Sequence, residues 1–247
     1  MNNASNRIAL VTGANRGLGL ETARQLAQQG VTVLMAGRSE AAITAAAETL
    51  SAEGLPVHPV VLDVVNGDHI VALAGRIEAD YGRLDILVNN AGIITGESFF
   101  ENSSRTISQA SLRRTYEVNV FAPIALTHAL LPLLEKAPAA RIVNLSSILG
   151  SLTVNRDYDS DWGGAKPLAY NSSKAALNMF TVQLAAALQD TAIKVNSAHP
   201  GWVKTDLGTD AAPMDVVEGA KTSVALALLD ADGPTGSFVH LGETLPW

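Results

Sequence analysis

Ile8-Ala9-Leu10-Val11-Thr12-Gly13-Ala14-Asn15-Arg16-Gly17-Leu18-Gly19 is an apolar run that breaks into three glycines and leads into an amphipathic stretch. The large apolar residues from Ile8 to Val11 suit a strand covered on both faces. Each glycine then has a task of its own: Gly13 turns the chain sharply, Gly17 leaves room for a diphosphate beside the backbone, and Gly19 lets the new helix pack closely on the sheet. The start of that helix points unpaired N–H groups at an anion. A plain structural turn before an amphipathic helix has the same three glycines, so the weight of this reading comes from the rest of the chain.

Working outward, the inner face of the first helix carries Ala23, Leu26 and Ala27, and Gly30 ends it before a second strand, Val31 to Ala36. The pattern repeats: helix Glu40 to Glu53, strand Val57 to Leu62, helix Asp68 to Tyr81 with Ile70, Leu73 and Ile77 inward, then strand Leu84 to Val88. One continuous helix is expected from Ser111 to Leu134, followed by strand Arg141 to Leu145. Beyond an irregular polar stretch, Gly150 to Lys166, come helix Leu168 to Leu188, strand Lys194 to Ser197, helix Asp215 to Leu229 and a short strand near Phe238. Strand and helix alternate almost throughout, which predicts an α/β fold: a doubly wound, Rossmann-type parallel sheet with helices on both faces. A single domain over 1–247 is expected, with 1–140 mainly its cofactor-binding half and 141–247 its catalytic and substrate-binding half. The extended loop 150–167 lies in the second half, and a long ordered loop is more often functional than accidental.

Composition narrows the partners. The 247 residues carry 17 basic and 24 acidic side chains, a net charge of −7, with no block of consecutive basic residues. Nucleic acid and anionic membrane surfaces are therefore disfavoured. With no cysteine in the chain, disulfides, thiolate metal sites and a cysteine nucleophile are excluded. The polar lead from Met1 to Arg7 is followed by too few apolar residues for a signal-peptide core or a membrane span, and a cytoplasmic protein is expected. Asp157, Asp159 and Asp161 alternate as calcium ligands do, but Gly163 comes late and no glutamate follows at the needed spacing, so no metal site is expected.

In an open parallel sheet, ligands bind beyond the carboxyl ends of the strands. That rule selects Gly13 to Gly19, Gly37-Arg38, Asp63-Val64, Asn89 to Gly92, Ser146-Ser147 and His199 to Thr205. One further stretch carries chemistry: Tyr170-Asn171-Ser172-Ser173-Lys174 opens a helix and puts phenol and ammonium on one face. A free phenol titrates near pH 10, and a neighbouring cation favours phenolate and lowers that value. The bland alternative is a half-buried ring beside a solvated amine. Of the serine pair, only one can face such a site, because adjacent residues on a strand point to opposite sides.

Taken together and in order, Thr12-Gly13-x-x-x-Gly17-x-Gly19, Asn89-Asn90-Ala91-Gly92, Asn119, Ser147, Tyr170-x-x-x-Lys174 and Pro200-Gly201-Trp202-Val203-x-Thr205 resemble the short-chain dehydrogenase/reductase family over essentially the whole chain. The ending, with Pro200-Gly201-Trp202-Val203-Lys204-Thr205-Asp206, Glu218-Gly219-Ala220 and a terminal Trp247, is similar to its monomeric carbonyl reductases. The resemblance implies a hydride transfer between NADP(H) and an aldehyde or ketone. Tyr170 would be the general acid/base and Ser147 would hold the carbonyl oxygen. Lys174 would bind the nicotinamide ribose hydroxyls and, with the cationic oxidised ring, keep the phenol acidic, and Asn119 would hold a water linking Lys174 to solvent. A serine pair that merely turns the chain and an asparagine that merely bonds a backbone carbonyl are the plain alternatives.

Cofactor contacts are implied at Gly13, Asn15, Arg16, Gly17, Leu18 and Gly19, at Asp63, Val64, Asn90, Ala91 and Gly92, at Tyr170 and Lys174, and at Pro200, Gly201, Val203 and Thr205. Asp63 would meet the adenine, and Val203 and Thr205 the carboxamide. An NAD-specific site usually places an acid about twenty residues beyond the glycine loop. Here Arg38 ends the second strand and Arg16 lies in the loop, two cations suited to a 2′-phosphate, so NADP(H) is expected over NAD(H). Ser147, Tyr170, Trp162 and Trp202 are expected to touch substrate, and His199 to be structural. The 22 residues between Ser147 and Tyr170 exceed the compact members' spacing, which points to a shaped substrate pocket or an obstructed subunit interface, and to a monomer rather than a dimer or tetramer. The competing readings are an NADP-binding regulator without catalysis and a related lyase such as a halohydrin dehalogenase. The former has no need of Tyr170 and Lys174, and the latter uses arginine in place of the lysine.

Overall fold

The computed structural model of the chain describes residues 7–95 and 103–247; the polar lead before Arg7 lies outside them. Its strands are β1 Ile8–Thr12, β2 Thr32–Gly37, β3 Val57–Val61, β4 Ile86–Asn89, β5 Arg141–Leu145, β6 Lys194–Ala198, β7 Phe238–His240 and β8 Glu243–Thr244. The helices are α1 Gly17–Gln28, α2 Glu40–Ala52, α3 Gly67–Tyr81, α4 Gln109–Tyr116, α5 Ala122–Leu134, α6 Leu152–Arg156, α7 Leu168–Ala187 and α8 Val216–Ala227. All strands join one sheet in the order β3-β2-β1-β4-β5-β6-β7-β8, parallel except for β7 with β8. The winding reverses between β1 and β4, and in such sheets the crevice for a dinucleotide opens at that reversal.

Alternation along the strands divides the core into two layers. Leu10, Leu34, Leu87 and Ile142 face one side and pack with Ile77 of α3, Leu126 of α5 and Leu184 of α7. Ala9, Val11, Val33, Ile86 and Val143 face the other and pack with Leu26 of α1, Ile43 of α2 and Leu226 of α8. The central strands are covered on both sides, which is why they read as continuous apolar runs.

Three features depart from the expected elements. The helix expected from Ser111 starts earlier, at Gln109, because the Ser108 hydroxyl caps it by accepting from Ser111 N at 3.1 Å. It is also not continuous: a π turn, Glu117–Phe121, separates α4 from α5. Across 26 residues this run is long and apolar enough to cross a membrane by length and composition, yet 56% of its most apolar window is buried inside the fold, where it packs with α3 and α7. Secondly, the stretch from Gly150 to Lys166 contains α6, capped by the Ser151 hydroxyl, which accepts from Val154 N at 3.1 Å. Thirdly, after β7 the chain turns through Leu241 and Gly242, at φ 45° and 89°, and returns as β8. Positive φ at both positions is the signature of a tight two-residue hairpin turn.

Candidate active site

The glycine loop is fixed by contacts its sequence only hints at. A Cβ on Gly19 would lie 2.3 Å from the Gly13 carbonyl oxygen and 2.5 Å from Asn90 Nδ2, so no side chain fits there. Gly13 and Gly17 adopt φ of 65° and 55°, in the left-handed region that favours glycine. Asn90 binds the loop to β4: its Nδ2 donates to Thr12 O at 2.7 Å, while Asn90 N and Ala91 N both donate to Thr12 Oγ1 at 3.0 Å. Arg16 stands at the N-cap of α1 with no side-chain cap hydrogen bond, so the helix's positive end is left for an anion.

Beyond β5 and at the start of α7 the catalytic candidates converge. Ser147 hydrogen-bonds with the buried Tyr170, and Lys174 Nζ lies 5.6 Å from the Tyr170 ring centroid. Ser146 Oγ is buried without a partner, so of the serine pair it is Ser147 that meets the tyrosine. Burial pushes the phenol up to about 12, against the opposing hydrogen bond from Ser147, and pushes the Lys174 ammonium down to about 8. These directions are those of the protein by itself, whereas the expectation for Lys174 joins it with the cationic oxidised nicotinamide ring. Desolvation dominates both groups, and Lys174 donates to Leu145 O at 2.7 Å rather than to the phenol. The protonated phenol is the stable form.

Asn119 sits in the π turn. Its Oδ1 accepts from Ile93 N at 2.9 Å, and its Nδ2 donates to Ile93 O at 2.9 Å and to Ser173 Oγ at 3.0 Å. Both amide hydrogens are thus engaged, one with the Ile93 backbone and one with the Ser173 side chain. A Cβ on Gly92 would be 3.4 Å from Lys174 Nζ and 3.5 Å from Asn119 Oδ1, so Gly92, Asn119 and Lys174 adjoin. His199 is pushed down to about 3 by burial and by His240; its Nδ1 accepts from Ile148 N at 3.2 Å. A neutral, hydrogen-bonded imidazole there is structural.

The two candidate cations for a 2′-phosphate differ. Arg38 is exposed at the end of β2 and makes no ion pair with another described residue. Arg16, in contrast, pairs with Asp206 across the groove. Asp63 N donates to His69 Nδ1 at 3.3 Å, and Asp63 Oδ1 accepts from Val65 N at 3.3 Å; Val64 packs on the core. On the opposite bank, Thr205 Cγ2 would lie 3.5 Å from a Cβ at Gly17, Thr205 Oγ1 accepts from Gly208 N at 3.1 Å, and Val203 packs over Gly219 of α8, where Leu18 also lies. Gly201 follows Pro200 with φ 91°. Trp162 and Trp202 meet edge to face, 6.2 Å apart at 76°.

Several further residues organise the site, of which Asn89 belongs to the Asn89-Asn90-Ala91-Gly92 motif and Ser173 lies between Tyr170 and Lys174. Ser173 joins the π turn to the catalytic helix by accepting from Asn119 and donating to Tyr170 O at 2.8 Å. Asn155 organises the extended loop: its Nδ2 donates to Leu149 O and Ser151 O at 2.7 and 2.8 Å, and its Oδ1 accepts from Asn171, the residue after Tyr170, at 3.0 Å. Asn89, Asn144, Thr181 and Ser197 form a buried relay behind the site, with bonds of 2.8 to 2.9 Å between successive members.

The glycine loop, the paired strand ends and the Ser147, Tyr170 and Lys174 cluster together invite comparison with known proteins. The model of the short chain dehydrogenase family matches residues 7–215. The chain belongs to the short-chain dehydrogenase family. It is 35% identical to short-chain dehydrogenase/reductase 1 of Saponaria officinalis over 298 residues, covering 99% of this chain and 97% of the relative. It is 32% identical to carbonyl reductase [NADPH] 1 of Mus musculus over 282 residues, 99% of each chain. Among solved structures, NADPH-bound carbonyl reductase from chicken fatty liver superposes with a TM-score of 0.84 at 30% identity, covering 98% of this chain and 99% of the other. The fold and the order of the short-chain dehydrogenase motifs thus agree across the chain.

Proposed function

We propose that this short-chain dehydrogenase reduces uncharged aldehydes or ketones with NADPH and, in reverse, oxidises the corresponding alcohols. The observation that carries the reading is the buried Ser147, Tyr170 and Lys174 cluster at the strand ends, beside a glycine loop that admits no side chain at Gly19. The names of the mouse and chicken relatives, both NADPH carbonyl reductases, support it. The residues fit the cofactor: the glycine loop and the start of α1 suit a diphosphate, exposed Arg38 suits a 2′-phosphate, and Lys174 beside Gly92 suits ribose hydroxyls. NADPH, when bound, supplies the hydride for the carbonyl carbon.

Tyr170 gives its phenolic proton to the carbonyl oxygen, leaving a phenolate that must be reprotonated before the next turnover. The raised value of about 12 keeps the proton on the phenol until that oxygen gains charge. Ser147, whose hydrogen bond with the phenol opposes the effect of burial, turns its single hydroxyl hydrogen to the same carbonyl oxygen once substrate binds. Asn119 and Ser173 act as positioning residues that hold α7 against the π turn. The ordered loop anchored on the first turn of α7 favours a monomer. Purified protein assayed with NADPH against aldehydes, ketoesters, quinones and cyclic ketones tests the function. Consumption of NADPH with at least one class is expected; none at high enzyme concentration overturns the proposal.

A further inference from the structure

Tyr170 does not sit alone in its apolar surroundings. With Ile148 and Leu149 it forms a small buried cluster separate from both main layers, and Ile94, Val154, Trp162 and Leu245 pack against it while remaining partly open. Leu245 is the unexpected member, since it lies beyond the last strand, far from every motif. The hairpin turn at Leu241 and Gly242 sends it back. Leu245 N then donates to Phe238 O at 2.7 Å, Trp247 stacks on the fully buried Phe238 with ring centroids 5.6 Å apart, and Trp247 O accepts from Thr153 N of α6 at 3.0 Å. The segment after β8 is held on two sides, with its leucine against the tyrosine cluster.

We propose that Leu245 is a specificity-determining residue that forms one wall of the substrate pocket and selects uncharged carbonyl compounds with a compact apolar body. The wall presents aliphatic and aromatic carbon. Lys174 donates to Leu145 O, and Lys166 donates to Asn155 O at 2.8 Å with Tyr158's ring 5.5 Å away. None of the described residues that make up this cluster carries a charge, so a substrate carboxylate finds no partner in the wall itself, and burying an unpaired charge is costly. An alicyclic ketone loses water-exposed apolar area against the wall instead. This inference rests on the proposed carbonyl reduction and deepens it.

The test compares cyclohexanone, 4-tert-butylcyclohexanone and 2-oxohexanoate as substrates with NADPH. Wild-type protein is expected to prefer cyclohexanone to the oxo acid in kcat/KM. Leu245→Ala is expected to raise the ratio of the tert-butyl ketone to cyclohexanone by about tenfold, the scale of a few methylenes in an apolar pocket, with Kd for NADPH unchanged by fluorescence titration. Leu245→Met, which roughly conserves volume, is expected to keep the wild-type ratio and guards against misfolding of the alanine variant. An unchanged ratio in Leu245→Ala, or an even loss on every ketone, overturns the wall. If the wild type turns over no carbonyl at all, the proposed function fails, and calorimetric binding of 4-tert-butylcyclohexanol to wild type and Leu245→Ala decides the wall separately. A changed Kd in the variant upholds it, and equal or absent binding overturns it.

Discussion

On the cofactor side of the cleft, Gly13 and Gly17 hold left-handed φ, Gly19 puts backbone where no side chain fits, and all three lie in one short loop. On the substrate side, Ile94, Leu149, Trp162 and Leu245 gather side chains from distant parts of the chain around Tyr170. A surface made of backbone has little latitude, because a side chain strains the left-handed positions at Gly13 and Gly17 and, at Gly19, meets the Gly13 carbonyl, which cannot rotate away. A surface made of side chains can be resized one residue at a time. The difference explains how one cofactor cradle can be kept while the substrate wall is remodelled, and it makes the two sides respond differently to mutation.

The largest effect is expected where the sides meet. Tyr170→Phe removes the transferable proton without changing the ring, so kcat should fall about 100- to 10,000-fold, while NADPH affinity measured by fluorescence stays close to wild type. A parallel loss of affinity would place Tyr170 on the cofactor side of the comparison instead. Next, Arg38→Asp exchanges a cation for an anion at the expected 2′-phosphate. About 1.5–3 kcal/mol of charge-assisted bonding corresponds to a rise of about 10- to 100-fold in KM for NADPH, with little change for NADH. Gly19→Ala drives a Cβ into the Gly13 carbonyl and the Asn90 amide. It should cost about 1–3 kcal/mol of stability and weaken cofactor binding, whereas Leu245→Ala should leave that binding intact. Calorimetry and fluorescence titration of the two variants would sharpen the contrast or erase it.

The buried pair at the junction also predicts a pH dependence of stability. Lys174 falls from 10.5 to about 8 in the fold, so between those values the unfolded chain holds a proton that the folded one lacks, and stability rises with pH. Tyr170 moves from 10.0 to about 12, so above about 10 the folded state holds the extra proton and stability falls. Melting temperature followed against pH should lose the rising limb in Lys174→Met and the falling limb in Tyr170→Phe. The smallest effect concerns Arg16, whose ion pair with Asp206 is exposed at both partners. Asp206→Asn should release Arg16 toward the cofactor phosphate and tighten NADPH by less than about tenfold, given the modest worth of exposed ion pairs, with NADH unaffected. No change would leave Arg38 as the principal 2′-phosphate partner.

Much of the site is legible in the sequence. The glycine spacing, the apolar strands and Tyr170 with Lys174 one helical turn apart are local patterns, and local patterns follow from chain geometry that holds in every fold. The π turn at Asn119 is not legible, since Glu117 to Phe121 has no proline or glycine to announce a break and its widening depends on Asn119 reaching Ile93 and Ser173. Nor is the ionisation of the catalytic pair. From the sequence, a cation four residues from a phenol argues for an acidic phenol; in the fold, burial is the largest influence on the phenol and raises it.

By itself, then, the sequence determined the alternating sheet, the loop that cradles a diphosphate and the residue types that move a proton, because each depends on neighbours within a few positions. Tertiary structure alone decided that Ser146 is buried without a partner, that Asn155 ties the extended loop to α7, and that Leu245 returns to the tyrosine cluster. Those outcomes depend on solvent exclusion and on contacts between segments far apart in the chain, quantities that exist only once the sheet has closed its two layers.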